Sequence, residues 1–393
     1  MRFSDDARRA RLAVRHAIHP EHRLADPLAV NDVLVALHAT EPATVHLAIA
    51  ARMQDPTVKA VEAALYDDRS IIKQLAMRRT LFGFTRDLLP AVLGSAAARV
   101  ATQQHSTLAK DLERHDVTSD GASWIARASA AVRERLAHGD ALSAAQFRAE
   151  LPELHGRSKV GPDAKKWDKS TPFAPRLLTL LGAEGHIMRA ANTGHWRTSR
   201  TTWIATEHWL GDRPVPLTAS AGYAILVARW LATFGPGTEA DIVWWLGATK
   251  AAVRRALADI NAVEVSLDSG AVGYLLPDDE PDEPVGEWAA LLPTLDPSVM
   301  GWKERDFYLD PALVPYLFDS NGNGGTTAWL DGRIVGCWVQ DDESRVQVVP
   351  ARELTKRDAD RLRVEANRLT EFLDGVTIAN VYKSRLMKGE RLP

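Results

Sequence analysis

Residues 220–276 read SAGYAILVARWLATFGPGTEADIVWWLGATKAAVRRALADINAVEVSLDSGAVGYLL. The first helix runs from Ser220 to Phe234 and is ended by Gly235-Pro236-Gly237, a sequence that cannot continue it. Thr238 then caps Glu239 to Leu246, because a threonine hydroxyl can accept a bond from the free N–H groups of the first turn. Gly247 supplies the left-handed residue that ends that helix tightly. Thr249 caps the next helix, from Lys250 to Ile260. Val263-Glu264-Val265-Ser266-Leu267 alternates as a half-buried strand, Asp268-Ser269-Gly270 turns, and Val272 to Leu276 returns. Helix, helix-turn-helix and β-hairpin together are a winged helix. Trp244-Trp245 reads as core and interdomain packing. The candidate recognition helix offers Lys250, Arg254 and Arg255 but also Asp259, so this module can serve as scaffold.

Upstream, the same order recurs more faintly. Asp5 to Arg15 has helical character, and Pro27 to Ala39 reads as an apolar-periodic helix. Thr40-Glu41-Pro42 interrupts it, with Thr40 as cap and Pro42 early in a helix reaching about Met53. Ser70 to Met77 reads as another helix and Thr80 to Phe84 as a short strand. Residues 88–155 are Ala-rich and helical, broken at Gly121 and Gly139-Asp140, with a capping box at Ser143 to Gln146. Residues 156–203 carry Gly, Pro, Lys, Arg and Trp with little periodicity.

Downstream, residues 277–284 form an acidic, proline-rich linker. Beyond it, Thr326 to Leu330, Arg333 to Val339 and Arg345 to Val349 read as strands, with Asp331-Gly332 as a hairpin turn. Asp358 to Leu373 is an amphipathic helix. The expected fold is α+β, with winged-helix units at 1–100, 101–215 and 216–277, a linker at 278–284 and a β-rich α+β domain at 285–393.

Length and composition agree with a chain of several domains. The 393 residues are 46% hydrophobic and 25% charged, ordinary globular values that exclude long disorder or coiled coil as the main architecture. No stretch approaches the apolar run a membrane helix needs, so no membrane partner is expected. The first six residues hold acids where a secretory signal wants an apolar run. The single cysteine, Cys337, sits in the strand-like Ile334 to Trp338 and excludes internal disulfides and Cys-based zinc sites. A reducing cytoplasm is the expected compartment. The net charge of −3 argues against a globally basic nucleic-acid binder. The first 200 residues, however, hold 29 Lys and Arg against 22 Asp and Glu, while the remainder is acidic. An anionic partner can therefore bind the first half; uneven solvation is the plainer alternative.

No phosphate-cradling P-loop, dinucleotide glycine fingerprint or serine elbow is present. His16, His19 and His22 are spaced by three and read as a solvated helix face. No metal site is expected from sequence spacing. Three segments carry more. His38 and Thr40 end an otherwise apolar helix before the start of the next, where free N–H groups favour anions. The alternative makes Thr40 a cap and His38 a core residue. Arg78, Arg79 and Thr80 suit phosphate at a helix-to-strand junction. Lys165, Lys166 and Trp167, with His195, Trp196, Arg197 and Arg200, mix bases with rings as a nucleic-acid surface does, although loop tryptophans also serve as core lids. Asn321 and Asn323 lie in a Gly-rich loop, either a hairpin turn or a tip entering a groove.

These residues resemble the tandem winged-helix DNA glycosylase superfamily of AlkZ/YcaQ-like proteins. The resemblance rests on Leu34 to Thr40, Met77 to Leu81, Gly194 to Arg197, Leu291 to Asp296, Gly301 to Arg305 and Asp331 to Trp338, in that order and spacing. It implies three winged-helix units in a C-shape with a DNA groove on the concave side. It also implies cofactor-free hydrolysis of the N-glycosidic bond of N7-alkylated purines, bulky adducts and crosslinks included. The expected partner is damaged double-stranded DNA, met by a monomer in a bacterial-type, nucleoid-associated setting. Active family members place the water with Gln-any-Gln or Gln-any-Asp; the matching positions here read His38-Ala39-Thr40. His38 would orient or deprotonate the water, Thr40 would hydrogen-bond it, and Glu41 would face the developing cation. The alternatives are a non-catalytic DNA-binding damage sensor or regulator, and a small-molecule binder using the winged helices as scaffold.

Overall fold

The computed structural model describes residues 2–160 and 169–392. The chain begins with β1 (Arg2–Phe3) and α1 (Asp5–Arg15). A first winged-helix unit follows: α2 (Pro27–Leu34), β2 (Leu37–His38), α3 (Pro42–Ala50), α4 (Val58–Glu62), β3 (Ile71–Leu75) and β4 (Leu81–Thr85). Its antiparallel sheet has the order β2-β4-β3, so the short first strand pairs with the last.

The same order repeats twice. α5 (Leu89–Val92) and α6 (Ala98–Arg114) lead into α7 (Gly121–Leu136), α8 (Ala144–Glu150), α9 (Ala174–Ala183), β5 (Ile187–Asn192) and β6 (Thr201–Ala205). Here Leu142, between α7 and α8, pairs with Trp203 of β6 in place of a first strand. After α10 (Thr206–Leu210), the third unit contains α11 (Ala219–Phe234), α12 (Glu239–Leu246), α13 (Lys250–Asp259), β7 (Val263–Leu267) and β8 (Val272–Leu275). Gly237 bridges to Tyr274 of β8 in the same topological position. Thr238 and Thr249 cap their helices through their hydroxyls, and Gly247 is left-handed at φ 60°. β1 adds a parallel strand to β7, so the first residues of the chain complete the third unit's sheet.

The C-terminal part holds β9 (Ala289–Leu292), α14 (Pro297–Met300), α15 (Val314–Leu317), β10 (Thr327–Leu330), β11 (Arg333–Gln340), β12 (Val346–Pro350) and α16 (Lys356–Leu373). Its sheet is antiparallel in the order β12-β11-β10-β9, and the apolar face of α16 buries Leu362, Ala366, Leu369 and Leu373 against it. Cys337 is buried in β11, where burial pushes its thiol up to about 12.

Several local expectations are corrected. Residues 27–39 are not one helix: α2 stops at Leu34, Val35 turns left-handed at φ 64°, and the chain becomes extended through β2. Thr40 is not the cap of α3; Glu41 holds that position, without a side-chain cap bond. Ser70 to Met77 contains strand β3 rather than a helix, since Ile71 and Ile72 pair with Thr85 and Phe84. The third helix of that unit is instead α4, a span the periodicity did not mark. Residues 156–203 contain α9 and the β5–β6 hairpin. His16, expected on a solvated face, is fully buried and stacks on Trp302 at 5.6 Å. The acidic linker is clamped rather than free: Asp279 and Asp282 each pair with both Arg11 and Arg15 of α1.

Candidate nucleic-acid interface

The junction between β2 and α3 brings the first unit's candidate residues together. His38 pairs with Phe82, and Ala39 N–H donates to the Leu81 carbonyl at 2.9 Å. The strand ends at His38, and Thr40 lies in the bend that leads to α3. Because side chains alternate along a strand, His38 faces away from Leu37, which belongs with Ala39 to the unit's own core. Thr40 is exposed. His38 is 5% exposed, its ring 4.5 Å from that of Phe82. Among the described residues neither ring nitrogen of His38 has a partner. Burial, helped by the nearby Arg78 charge, lowers its pKa to about 3. His38 is therefore a neutral imidazole at physiological pH and a poor proton acceptor, which corrects the expectation that it deprotonates water.

Glu41 is also turned inward. Its Oε1 accepts from Val381 N–H at 2.6 Å, and the Thr294 hydroxyl lies 3.1 Å from Oε2. Burial raises its pKa against the pull of these bonds. The same Thr294 hydroxyl lies 3.1 Å from Asn380 Oδ1, so the segment after α16 is pinned across the base of the junction. The Glu41 carboxyl is thus engaged inside the protein rather than presented at the surface.

The turn between β3 and β4 supplies the cations. Arg78 and Arg79 are consecutive left-handed residues, at φ 54° and 58°, a conformation that non-glycine residues adopt rarely. The turn sends the two side chains apart. Arg79 is exposed beside Thr80. Arg78 folds back, its guanidinium carbon 4.1 Å from the Trp244 ring of α12. Arg305 approaches the same ring at 5.5 Å and Phe318 at 4.4 Å. Burial, with Arg305 nearby, lowers the Arg78 pKa to about 10, which leaves it charged. The contact of Trp244 with Arg78 fits its reading as interdomain packing. Its pairing with Arg78 and Arg305 has no local sequence signal, because the stack joins three distant segments.

The remaining candidates are placed less uniformly. His195, Arg197 and Arg200 are exposed, and Arg197 donates to the Thr377 carbonyl. Trp196 is only 7% exposed, packed on His46 at 5.0 Å and Phe372 at 6.2 Å, so its reading as a DNA-facing ring is corrected to that of a core lid. Asn321 is exposed, whereas the Asn323 amide donates to Asp319 at 2.9 Å within a built turn. Lys165, Lys166 and Trp167 lie outside the described residues. On the third unit's candidate recognition helix, Arg254 pairs with Glu239 and Arg255 with Asp259, which favours a scaffold role. Among the described residues no group of three His, Cys, Asp or Glu could hold a metal ion. No described helix is long and apolar enough to cross a membrane.

Comparisons with known proteins bear on the family and the fold. A family model described as DNA glycosylase AlkZ-like matches residues 32–372. The solved structure of Streptomyces sahachiroi DNA glycosylase AlkZ superposes with a TM-score of 0.73 at 18% identity, covering 94% of this chain and 98% of that one. At that identity the likeness speaks for the fold. No curated protein matches the sequence.

Proposed function

We infer, since the chain belongs to the AlkZ-like DNA glycosylase family, that its substrates are N7-alkylated purines in duplex DNA, bulky adducts included, and that Thr40 holds the attacking water. The family makes DNA the partner and the N-glycosidic bond the one hydrolysed. Alkylation at N7 gives the purine a positive charge. The C1′–N9 bond then breaks with its electron pair moving onto the base, which leaves neutral, and the sugar passes through an oxocarbenium-like state. Water adds to C1′ and its proton is lost to solvent. Such a reaction asks the protein to hold a water and to grip the backbone, with no strong base.

The observation that carries this reading is that Thr40, between β2 and the start of α3, and Arg79, in the β3–β4 turn, are both exposed. Thr40 can accept a hydrogen bond from water or donate to it. Arg79 can grip a phosphate. A second reading, a damage binder without catalysis, draws on the same sealed His38 and the tied Glu41 carboxylate.

A Thr40→Ala variant is expected to cut the single-turnover rate of base release by about 10- to 100-fold, the scale of losing one positioned hydrogen bond, while DNA affinity stays within about threefold. An Arg79→Ala variant should instead weaken binding and reduce the dependence of log affinity on log salt by about one. Unaltered base release by the Thr40 variant would remove that residue from the site.

A further inference from the structure

On the opposite face of the first unit's sheet lies a small polar cavity with two cations and no anion. Lys73 of β3 faces it, its ammonium donating to the Tyr66 hydroxyl at 2.7 Å. Arg189 of β5 approaches from the second unit, its guanidinium donating to the Thr201 hydroxyl at 3.0 Å. Ala39 and Pro42, which flank Thr40 and Glu41 in the chain, also line it, as does Ser199. The hydrogen-bond partners of both cations are neutral hydroxyls, and each cation also lies over a neutral ring, Lys73 over Tyr66 and Arg189 over Trp203, both at 4.9 Å. Burial lowers the pKa of Lys73 to about 8, with Arg189 adding to the effect and Glu62 opposing it only at a distance. Burial alone lowers that of Arg189. Two like charges brought together away from water are costly unless something negative joins them.

We propose that this cavity is a socket for one oxygen of a DNA backbone phosphate, gripped between Lys73 and Arg189, so that the strand is fixed next to Thr40. The proposal rests on the DNA-binding reading above. The size of the cavity selects the occupant. Its volume of about 20 Å³ is close to what a single water-sized atom requires. A single non-bridging phosphate oxygen fits, whereas a whole phosphate ion does not fit inside; a phosphodiester has the rest of the duplex to hold it at the mouth, which a free ion lacks. Tyr66 and Thr201, which also line the cavity, each accept a bond from one of the two cations. A phosphate held there would set the register of the strand before any base is read.

The test pairs a protein change with a DNA change. Duplexes carrying one neutral methylphosphonate, moved along the strand, are bound to the wild-type protein and to Lys73→Met, with Lys73→Gln as a second variant should the first fail to fold. In wild type, one methylphosphonate position near the lesion is expected to weaken binding about tenfold, the effect of losing a charge-assisted contact. That position should stop mattering in the Lys73 variants, whose salt slope should also be smaller by about one. Inorganic phosphate at constant ionic strength should not compete. Equal methylphosphonate penalties in wild type and variants overturn the socket while leaving DNA binding intact. Phosphate competition that depends on Lys73 overturns the assignment to the DNA backbone. Failure of the wild-type protein to bind any duplex at low salt removes the DNA-binding reading itself.

Discussion

Acidification from pH 7.5 to pH 5 is expected to remove about 4 kcal/mol of folding stability through His38 and His46 alone, by proton linkage. Both side chains are buried, and burial lowers each pKa to about 3. In the unfolded chain they return to the ordinary value near 6.5. The unfolded state therefore takes up protons first. Stability is fully present above about pH 6.5 and is lost as pH falls towards the folded values, at about 2 kcal/mol for each group by pH 5. His16 adds to the loss in the same direction, since burial and the nearby Arg52 charge hold its pKa well below the ordinary value. A marginally stable protein of 5–15 kcal/mol has little room for such a loss. Urea midpoints measured across this range test the account. A His38→Phe variant should lose about 2 kcal/mol less on acidification than wild type. A flat stability profile between pH 7.5 and pH 5 would mean that these rings are not sealed as described.

The second large effect concerns Arg52, which sits just after α3 with none of its side chain exposed. Its guanidinium grips Asp296 in a fork, at 2.7 and 2.9 Å. It also donates to the His16 and Ala48 carbonyls, each at 2.9 Å, and to the Ser298 hydroxyl at 2.8 Å. Asp296 in turn accepts from the Ser298 N–H and so caps α14. One ion pair thus joins the helix behind Thr40 to the start of the C-terminal α+β part. An Arg52→Met variant leaves the Asp296 charge buried and unpaired, and is expected to cost about 3–5 kcal/mol. Adding Asp296→Asn removes the orphaned charge but keeps the cap, so the double variant should be more stable than Arg52→Met alone. If denaturant titration instead finds the two substitutions additive, the pair does not have the energetic role its geometry gives it.

The third winged-helix unit was legible because its boundaries are set locally. Thr238, Gly247 and Thr249 each decide a helix end through their own side chain or backbone freedom. The first unit was only partly legible. Ile71 to Leu75 reads Ile-Ile-Lys-Gln-Leu, too short and mixed for periodicity to separate strand from helix, and only pairing with β4 makes it a strand. The left-handed Val35 that releases β2 from α2 carries no residue-type signal. The candidate site followed the same pattern. His38, Thr40, Glu41, Arg78 and Arg79 could be picked out, but not which side chains face outward. The sealing of His38 by Phe82, the capture of Glu41 by Thr294 and Val381, and the lid role of Trp196 all depend on residues far away in the chain. Lys73 and Arg189 escaped notice for that reason as well, since more than a hundred positions separate them.

Release of free 7-methylguanine from a duplex carrying a single 7-methylguanine residue, followed under single-turnover conditions with no added metal or cofactor, tests the central claim most directly. The account predicts release well above the spontaneous loss of that base, with an intact strand bearing an abasic site as the other product. Saturating, salt-sensitive binding to the same duplex with no release beyond the spontaneous rate would contradict it.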